Sequence, residues 1–354
     1  MSVCESILSL SPYQGGKPIS ELQRELGLDQ VVKLASNENP LGPGPKALEA
    51  IQLASSEISR YPDGNGFELK RAIAAHLSVT ADGITLGNGS NDILELVARA
   101  YVCQAKDEVV FSQFAFVVYP LVTQALGATA IVTPANGFGH DLDAMLASIT
   151  DNTKLIFVAN PNNPTGTLLS DDAIYAFLSK VPSSVIVVLD QAYFEYLEVT
   201  DNAITWLAEF DNLIITRTFS KAYGLAGLRV GYSISNSEIA DYLNRIRQPF
   251  NVNHIAQSAA TAAITDEAFL VRSVIANKNG LLQLSLGFER LGLSYIPSHA
   301  NFIAVKVADA DTTYQKLLEK GFIVRPVEMK GYLRVSVGTR NENEAFLDAL
   351  KSVL

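Results

Sequence analysis

Short, unbroken runs of Val, Ile and Leu alternate with helix-period segments along most of the chain. Strands are predicted over 84–87, 108–112, 130–134, 154–159, 185–190, 213–218 and 230–234. Their apolar runs are continuous, as in strands covered on both faces. Amphipathic segments such as 91–101 and 171–180 predict helices between them. This alternation predicts an α/β fold with a mostly parallel sheet of seven strands and helices on both faces. From about residue 277 the pattern changes. A long helical stretch leads to a strand over 301–307, a helix over 312–320, strands over 322–326 and 331–337, and a last helix over 342–353. That order reads as a smaller α+β domain. No repeat, low-complexity tract or linker marks the junction, which falls within 255–280, and the Pro/Gly-rich stretch 39–45 reads as an ordered connection. The division drawn is an N-terminal segment, 1–44, packing with the small domain, a large domain, 45–260, and the small domain, 261–354.

Composition narrows the function classes. The 354 residues carry 27 Lys+Arg against 37 Asp+Glu, a formal net charge of −10. An acidic balance argues against nucleic acid or an anionic membrane as partner, since both need a basic face. The longest unbroken apolar runs, 155–159 and 185–189, are far short of a membrane span. The N-terminus lacks a basic n-region and has Glu5 where a signal peptide would be positive, so a cytoplasmic location is expected. Two cysteines, Cys4 and Cys103, suit a reducing compartment. The four histidines show no short spacing, so no metal site is expected, and P-loop and nucleophile-elbow motifs are absent.

Three polar clusters end apolar strands. They are Asn160-Pro161-Asn162-Asn163-Pro164-Thr165-Gly166, Asp190-Gln191-Ala192-Tyr193, and Phe219-Ser220-Lys221 with the segment running on to Arg229. Each has a bland alternative: the first as a competent turn, Asp190 as a helix cap, Lys221 as a surface lysine. Ligands of open α/β sheets sit at the carboxyl ends of strands, so the three together predict one pocket. Lys221 lies between an apolar strand and an apolar, Gly-containing segment. Desolvation there lowers the ammonium pKa and frees the amine for Schiff-base chemistry. A pyridoxal ring needs an acid at its pyridinium nitrogen and donors on its phenolate, and Asp190, Tyr193 and Asn163 supply those groups. The segment Gly87-Asn88-Gly89-Ser90-Asn91 follows a strand and opens a helix, a setting suited to a single phosphate. Asp92 stands where a dinucleotide fingerprint would have its third Gly.

In this order GNGSND, PNNPTG, DQAY, FSKAYGLAGLR and YLRVSVGT resemble the fold-type-I, pyridoxal-phosphate-dependent aminotransferases. Within them the chain most resembles the histidinol-phosphate aminotransferase family, through Pro12-Tyr13, Gly16-Lys17-Pro18-Ile19, the stretch from Leu34 to Pro43, and Tyr61-Pro62-Asp63-Gly64. The resemblance covers nearly the whole chain. It implies pyridoxal 5′-phosphate as cofactor, with Lys221 as the Schiff-base lysine and proton shuttle. Asp190 would pair with the pyridinium nitrogen, and Asn163 and Tyr193 would bond the 3′ oxygen. Phe116 would stack on the ring. Gly89, Ser90, Asn91, Thr218, Ser220 and Arg229 would hold the phosphate. Tyr61 would reach the cofactor phosphate of a neighbouring subunit, which makes a homodimer the expected unit. Arg334 would bind the phosphate of histidinol phosphate or the α-carboxylate of glutamate. Tyr13, Asn37 and Arg325 would add substrate contacts, Arg325 having a surface ion pair as its alternative.

Two departures stand out: Phe116 replaces a tyrosine over the ring, and Gln191 replaces an acidic residue after the aspartate. The expected reaction moves the amino group of histidinol phosphate to 2-oxoglutarate. The alternatives are an aromatic amino-acid aminotransferase, a threonine-phosphate decarboxylase, and a pyridoxal-phosphate-sensing regulator. The last would carry an added DNA-binding domain, whereas the resemblance starts within the first fifteen residues.

Overall fold

A computed structural model describes residues 3–12, 15–198 and 200–354. Among them, seven strands build the larger sheet: β1 (Ile84–Gly87), β2 (Glu108–Ser112), β3 (Thr129–Thr133), β4 (Thr153–Ala159), β5 (Ile186–Asp190), β6 (Leu213–Thr218) and β7 (Gly231–Ile234). Their spatial order is β1-β7-β6-β5-β4-β2-β3. All neighbours run parallel except β7, which is antiparallel to both β1 and β6. The continuous apolar runs are explained by burial on both faces. On β5, Val187 and Leu189 join one core, while Ile186 and Val188 join the other. The helices α1 (Pro45–Ala54) and α3 (His254–Ala263) cover the first face, and α2 (Ser90–Tyr101) covers the second. Each fully buried aliphatic side chain contributes about 1.5–3 kcal/mol.

A second sheet has the order β8-β9-β11-β10, from β8 (Tyr295–Ile296), β9 (Phe302–Lys306), β10 (Arg325–Pro326) and β11 (Tyr332–Ser336). Leu284 and Phe288 of α4 (Glu267–Arg290), Leu317 of α5 (Ala310–Glu319) and Phe346 and Leu350 of α6 (Arg340–Val353) close its core. Three boundaries differ from expectation because side chains cap the backbone. The Asp266 carboxylate accepts from the Phe269 amide and starts α4 ten residues earlier than residue 277. Asp309 starts α5 at Ala310, and a Thr339–Glu342 capping box starts α6 at Arg340. The strand expected over 322–326 is divided: Phe322–Ile323 pairs in parallel with Val32–Lys33, and Arg325–Pro326 pairs with β11.

The N-terminal residues bond to the second sheet and to a helix that packs on the larger one. Leu34 donates its amide to the Ile323 carbonyl and its carbonyl accepts from Ser336, whereas Gln124, on the helix Val118–Ala125, donates to the Ser9 hydroxyl. Residues 39–43 then cross over the Lys221 loop, with Asn39 donating to the Ala222 carbonyl at 2.8 Å. Gly224 permits that crossing. Its φ is +71°, and a Cβ there would collide with the Gly42 carbonyl. Gly224→Ala should therefore lower stability by about 2–4 kcal/mol, read as a lower midpoint in urea denaturation.

Candidate active site

The three polar clusters do converge. In the sheet, Ala159 stands opposite Asp190, and Asp190 opposite Thr216, so the ends of β4, β5 and β6 are neighbours. They open into a cleft of about 180 Å³ whose other wall comes from residues 35–37, Arg325 and Arg334. At its floor the Asp190 carboxylate is buried and accepts from the Tyr119 hydroxyl at 2.8 Å and the Thr216 hydroxyl at 3.1 Å. Burial pushes this carboxyl up from its ordinary range, against the two hydroxyls, the Ala192 amide and the Lys221 charge, which pull it down. Tyr119 lies flat on Phe157, with ring centroids 4.5 Å apart and planes 4° apart, and meets the cleft-lining Phe116 edge-on. Sequence reasoning missed Tyr119 as the aspartate's partner. Its only signal is a tyrosine in a largely apolar segment, whose hydroxyl needs a hydrogen-bond acceptor if buried.

Lys221 follows β6 and donates to the Ser36 carbonyl at 3.2 Å. Burial, reinforced by the guanidinium groups of Arg334 and Arg229, pulls its pKa down to about 7, while Glu38 and Asp190 oppose the shift. The amine is thus a nucleophile and base near neutral pH.

An anion cradle lies beside it. Gly89 has φ +84° and no room for a Cβ, because the Arg229 guanidinium lies against it, and Ser90 then opens α2. Gly231 is equally constrained: a Cβ there would meet the Ser90 nitrogen at 2.6 Å. Gly231 lets the amides at the start of α2 approach the end of β6, and Gly89 leaves room for the guanidinium; there Thr218 accepts from the Ser220 amide at 3.1 Å. Arg229, itself at φ +56°, donates to the Ser220 hydroxyl at 3.3 Å. Helix amides, two hydroxyls and a guanidinium are groups suited to holding a phosphate.

On the facing wall Arg334 of β11 donates to Asn163 Oδ1 and to the Ala35 carbonyl, both at 2.6 Å. Asn37 donates from Nδ2 to the Tyr193 hydroxyl at 2.9 Å. Asn91, Asn163, Tyr193 and Arg325 all line the cleft. Tyr61 does not. It is 82% exposed and stacks on Phe250 outside the cleft, with centroids 4.7 Å apart. Tyr13 lies outside the described residues.

Residues 29–350 match the family of class I and II aminotransferases. The chain is 57% identical to the histidinol-phosphate aminotransferase of Methylobacillus flagellatus, across 99% of this chain and 96% of that protein. It is 56% identical to histidinol-phosphate aminotransferase 2 of Pseudomonas aeruginosa, across 98% and 96%. The fold superposes with a TM-score of 0.91 on the crystal structure of histidinol-phosphate aminotransferase from Sinorhizobium meliloti in complex with pyridoxal-5′-phosphate, at 29% identity, across 99% of this chain and 97% of that one. The chain belongs to the class I and II aminotransferases, in the histidinol-phosphate aminotransferase family.

Aminotransferases of this family imply pyridoxal phosphate, and the residues present fit that group. The cleft offers a buried carboxylate for a ring N–H, a neutral amine for an aldehyde, an aromatic side chain and a phosphate cradle. The departure at Gln191 is absorbed behind the site. Gln191 Oε1 accepts from Arg217 Nε and Nη2 at 3.1 and 2.7 Å. Arg217 also pairs with Asp201 at 2.8 Å and lies over the Phe194 ring at 3.9 Å. The same guanidinium thus holds residues on both sides of Tyr193. Among the described residues no group of His, Cys, Asp and Glu is arranged to hold a metal, and no helix is long and apolar enough to cross a membrane.

In cofactor-free aminotransferase at pH 7, about half of Lys221 is neutral, against roughly one part in a few thousand for an ordinary lysine. Cyanate, which attacks neutral amines, should carbamylate Lys221 well ahead of the other lysines, as read by peptide mass spectrometry.

Proposed function

We propose that the protein transfers the amino group of L-histidinol phosphate to 2-oxoglutarate, forming imidazole acetol phosphate and L-glutamate for histidine biosynthesis in the cytoplasm. The observation that carries this reading is a cleft with two anion corners: the Ser90–Arg229 cradle at the larger sheet, and Arg334 with Arg325 at the smaller one. The first would take the cofactor phosphate, with Gly89, Asn91, Thr218 and Ser220. The second would take the substrate phosphate in one half-reaction and the α-carboxylate of glutamate in the other.

When bound, pyridoxal phosphate supplies the electron sink that makes a substrate Cα–H acidic. The chain's own groups do the rest. Asp190 would hold a proton on the ring nitrogen by its opposite charge, and Tyr119 and Thr216 keep that carboxylate oriented. Asn163 and Tyr193 would bond the 3′ oxygen. Phe116 would cover the ring and exclude water. With its pKa near 7, Lys221 would take the Cα proton as a base and give one back as an acid. Residues 45–260 would form the cofactor-binding domain and 261–354 the small domain, with 1–44 strapped to both. Asn37 would belong to the wall behind Tyr193 more than to the substrate.

The active unit in this reading is a homodimer. Tyr61 is accompanied on the surface by Ile58, Phe67 and Phe250, apolar side chains that a second copy would cover. Tyr61 would then reach the phosphate in the neighbouring subunit. Mixed dimers of Tyr61→Phe and Lys221→Ala chains should recover part of the activity each lacks alone, because one of the two sites is restored. No recovery counts against a shared site.

The half-reaction tests the substrate. Histidinol phosphate, mixed with the holoenzyme and no keto acid, should bleach the visible band of the cofactor far faster than phenylalanine does. Comparable rates would make this a broad aromatic aminotransferase, and no bleaching with threonine phosphate is expected. Lys221→Ala should lose the native visible band and nearly all turnover.

A further inference from the structure

We propose that Ser336 and Asn37 form a positioning relay that sets the direction of the Tyr193 hydroxyl, so that Tyr193 accepts from Asn37 and donates its own proton into the cleft. The inference rests on the reading above, in which Tyr193 faces the cofactor's 3′ oxygen.

The relay starts in the backbone. Asn37 is buried at φ +54°, a left-handed conformation that asparagine tolerates better than other residues with a side chain. It is held there from two directions. Its amide donates to the Ser336 hydroxyl at 2.8 Å, and its carbonyl accepts from Asn301 Nδ2 at 2.9 Å. The Ser336 hydroxyl, having accepted from the Asn37 backbone, donates its own hydrogen to Asn37 Oδ1 at 3.0 Å. The oxygen faces Ser336, so the NH₂ group is the end 2.9 Å from the Tyr193 hydroxyl. An NH₂ group only donates. The phenolic oxygen of Tyr193 is therefore the acceptor at this contact, and its hydrogen is directed elsewhere.

The same strand pair also holds the ring. Tyr193 meets Phe302 edge-on with centroids 5.4 Å apart, and Phe302 on β9 stands opposite Ser336 on β11. Two residues before Ser336, and so on the same face of β11, Arg334 donates to Asn163. One face of one strand thus reaches both side chains read as donors to the 3′ oxygen. A hydroxyl made to donate there stabilises the deprotonated oxygen and lowers the pKa of the bound chromophore.

The test is a spectrophotometric pH titration of the holoenzyme. Tyr193→Phe should raise the midpoint by roughly one pH unit, the worth of one hydrogen bond to a charged acceptor. Asn37→Gly keeps the left-handed backbone without strain and removes the amide, and Ser336→Ala removes the hydroxyl; each should give a smaller rise. Ser336→Thr, which keeps a hydroxyl, should bring the midpoint back. Asn37→Asp presents a carboxylate that accepts the Tyr193 proton, so it should raise the midpoint more than Asn37→Gly, although it is the closer isostere. In a Tyr193→Phe background, Asn37→Gly and Ser336→Ala should add nothing. Unchanged midpoints in the two single variants, or shifts that persist undiminished in that background, overturn the relay. An unchanged midpoint in Tyr193→Phe alone would instead overturn the placement of Tyr193 beside the cofactor.

Discussion

A carboxylate buried at the carboxyl end of a central β-strand costs several kcal/mol unless charges or donors oppose it, and Asp190 sits at such a point. The surrounding structure is organised around that cost. Tyr119 and Thr216 donate to its two oxygens, and Lys221 supplies opposite charge. The ammonium of Lys221 is in turn opposed by the guanidinium groups of Arg229 and Arg334, which help to hold it near neutrality. Four cationic side chains and this carboxylate line the cleft, an imbalance complementary to anionic ligands. Acid, amine and anion sites are therefore parts of one electrostatic arrangement, in which each group's state depends on its neighbours.

Sheet order makes the arrangement possible. Because β4, β5 and β6 are adjacent and parallel, their carboxyl ends deliver Asn163, Asp190 and Lys221 to one place. The antiparallel β7 lies between β6 and β1, so the start of α2 has to approach Thr218 across an intervening strand. Glycine at 231 removes the Cβ that would hold it away, and glycine at 89 leaves room for the Arg229 guanidinium. Across the cleft, Arg334 and Ser336 extend from the second sheet to Asn163 and to the Asn37–Tyr193 pair, so the geometry of the site depends on how the two sheets meet.

The two departures from the family pattern sit differently. Phe116 lines the cleft directly, where loss of a tyrosine hydroxyl leaves an apolar face. Gln191 points behind the site, and there Arg217 uses its fork on a neutral amide oxygen while Asp201 takes the ion pair. The guanidinium is satisfied without an acidic residue at 191.

Much of this was legible in the residues themselves. Strands buried on both faces carry runs of apolar residues, so β1, β2 and β6 could be bounded to the residue, and polar clusters at strand ends marked the cleft. Of the three side chains central to the site, Asp190 ends such a strand, and Asn163 and Lys221 lie within one turn of the ends of theirs. What the linear pattern could not carry were contacts between residues far apart in the chain. Tyr119 and Asp190 are 71 residues apart, and Asn37 and Ser336 are 299 apart. Short strands such as Val32–Lys33 and Tyr295–Ile296 have no period of their own and exist only through their partners. Local propensity acts over one turn or one hairpin, whereas the direction of a hydroxyl or the charge state of a lysine depends on everything packed around it. Sequence settled which groups were present and at which strand ends, and tertiary packing decided their partners.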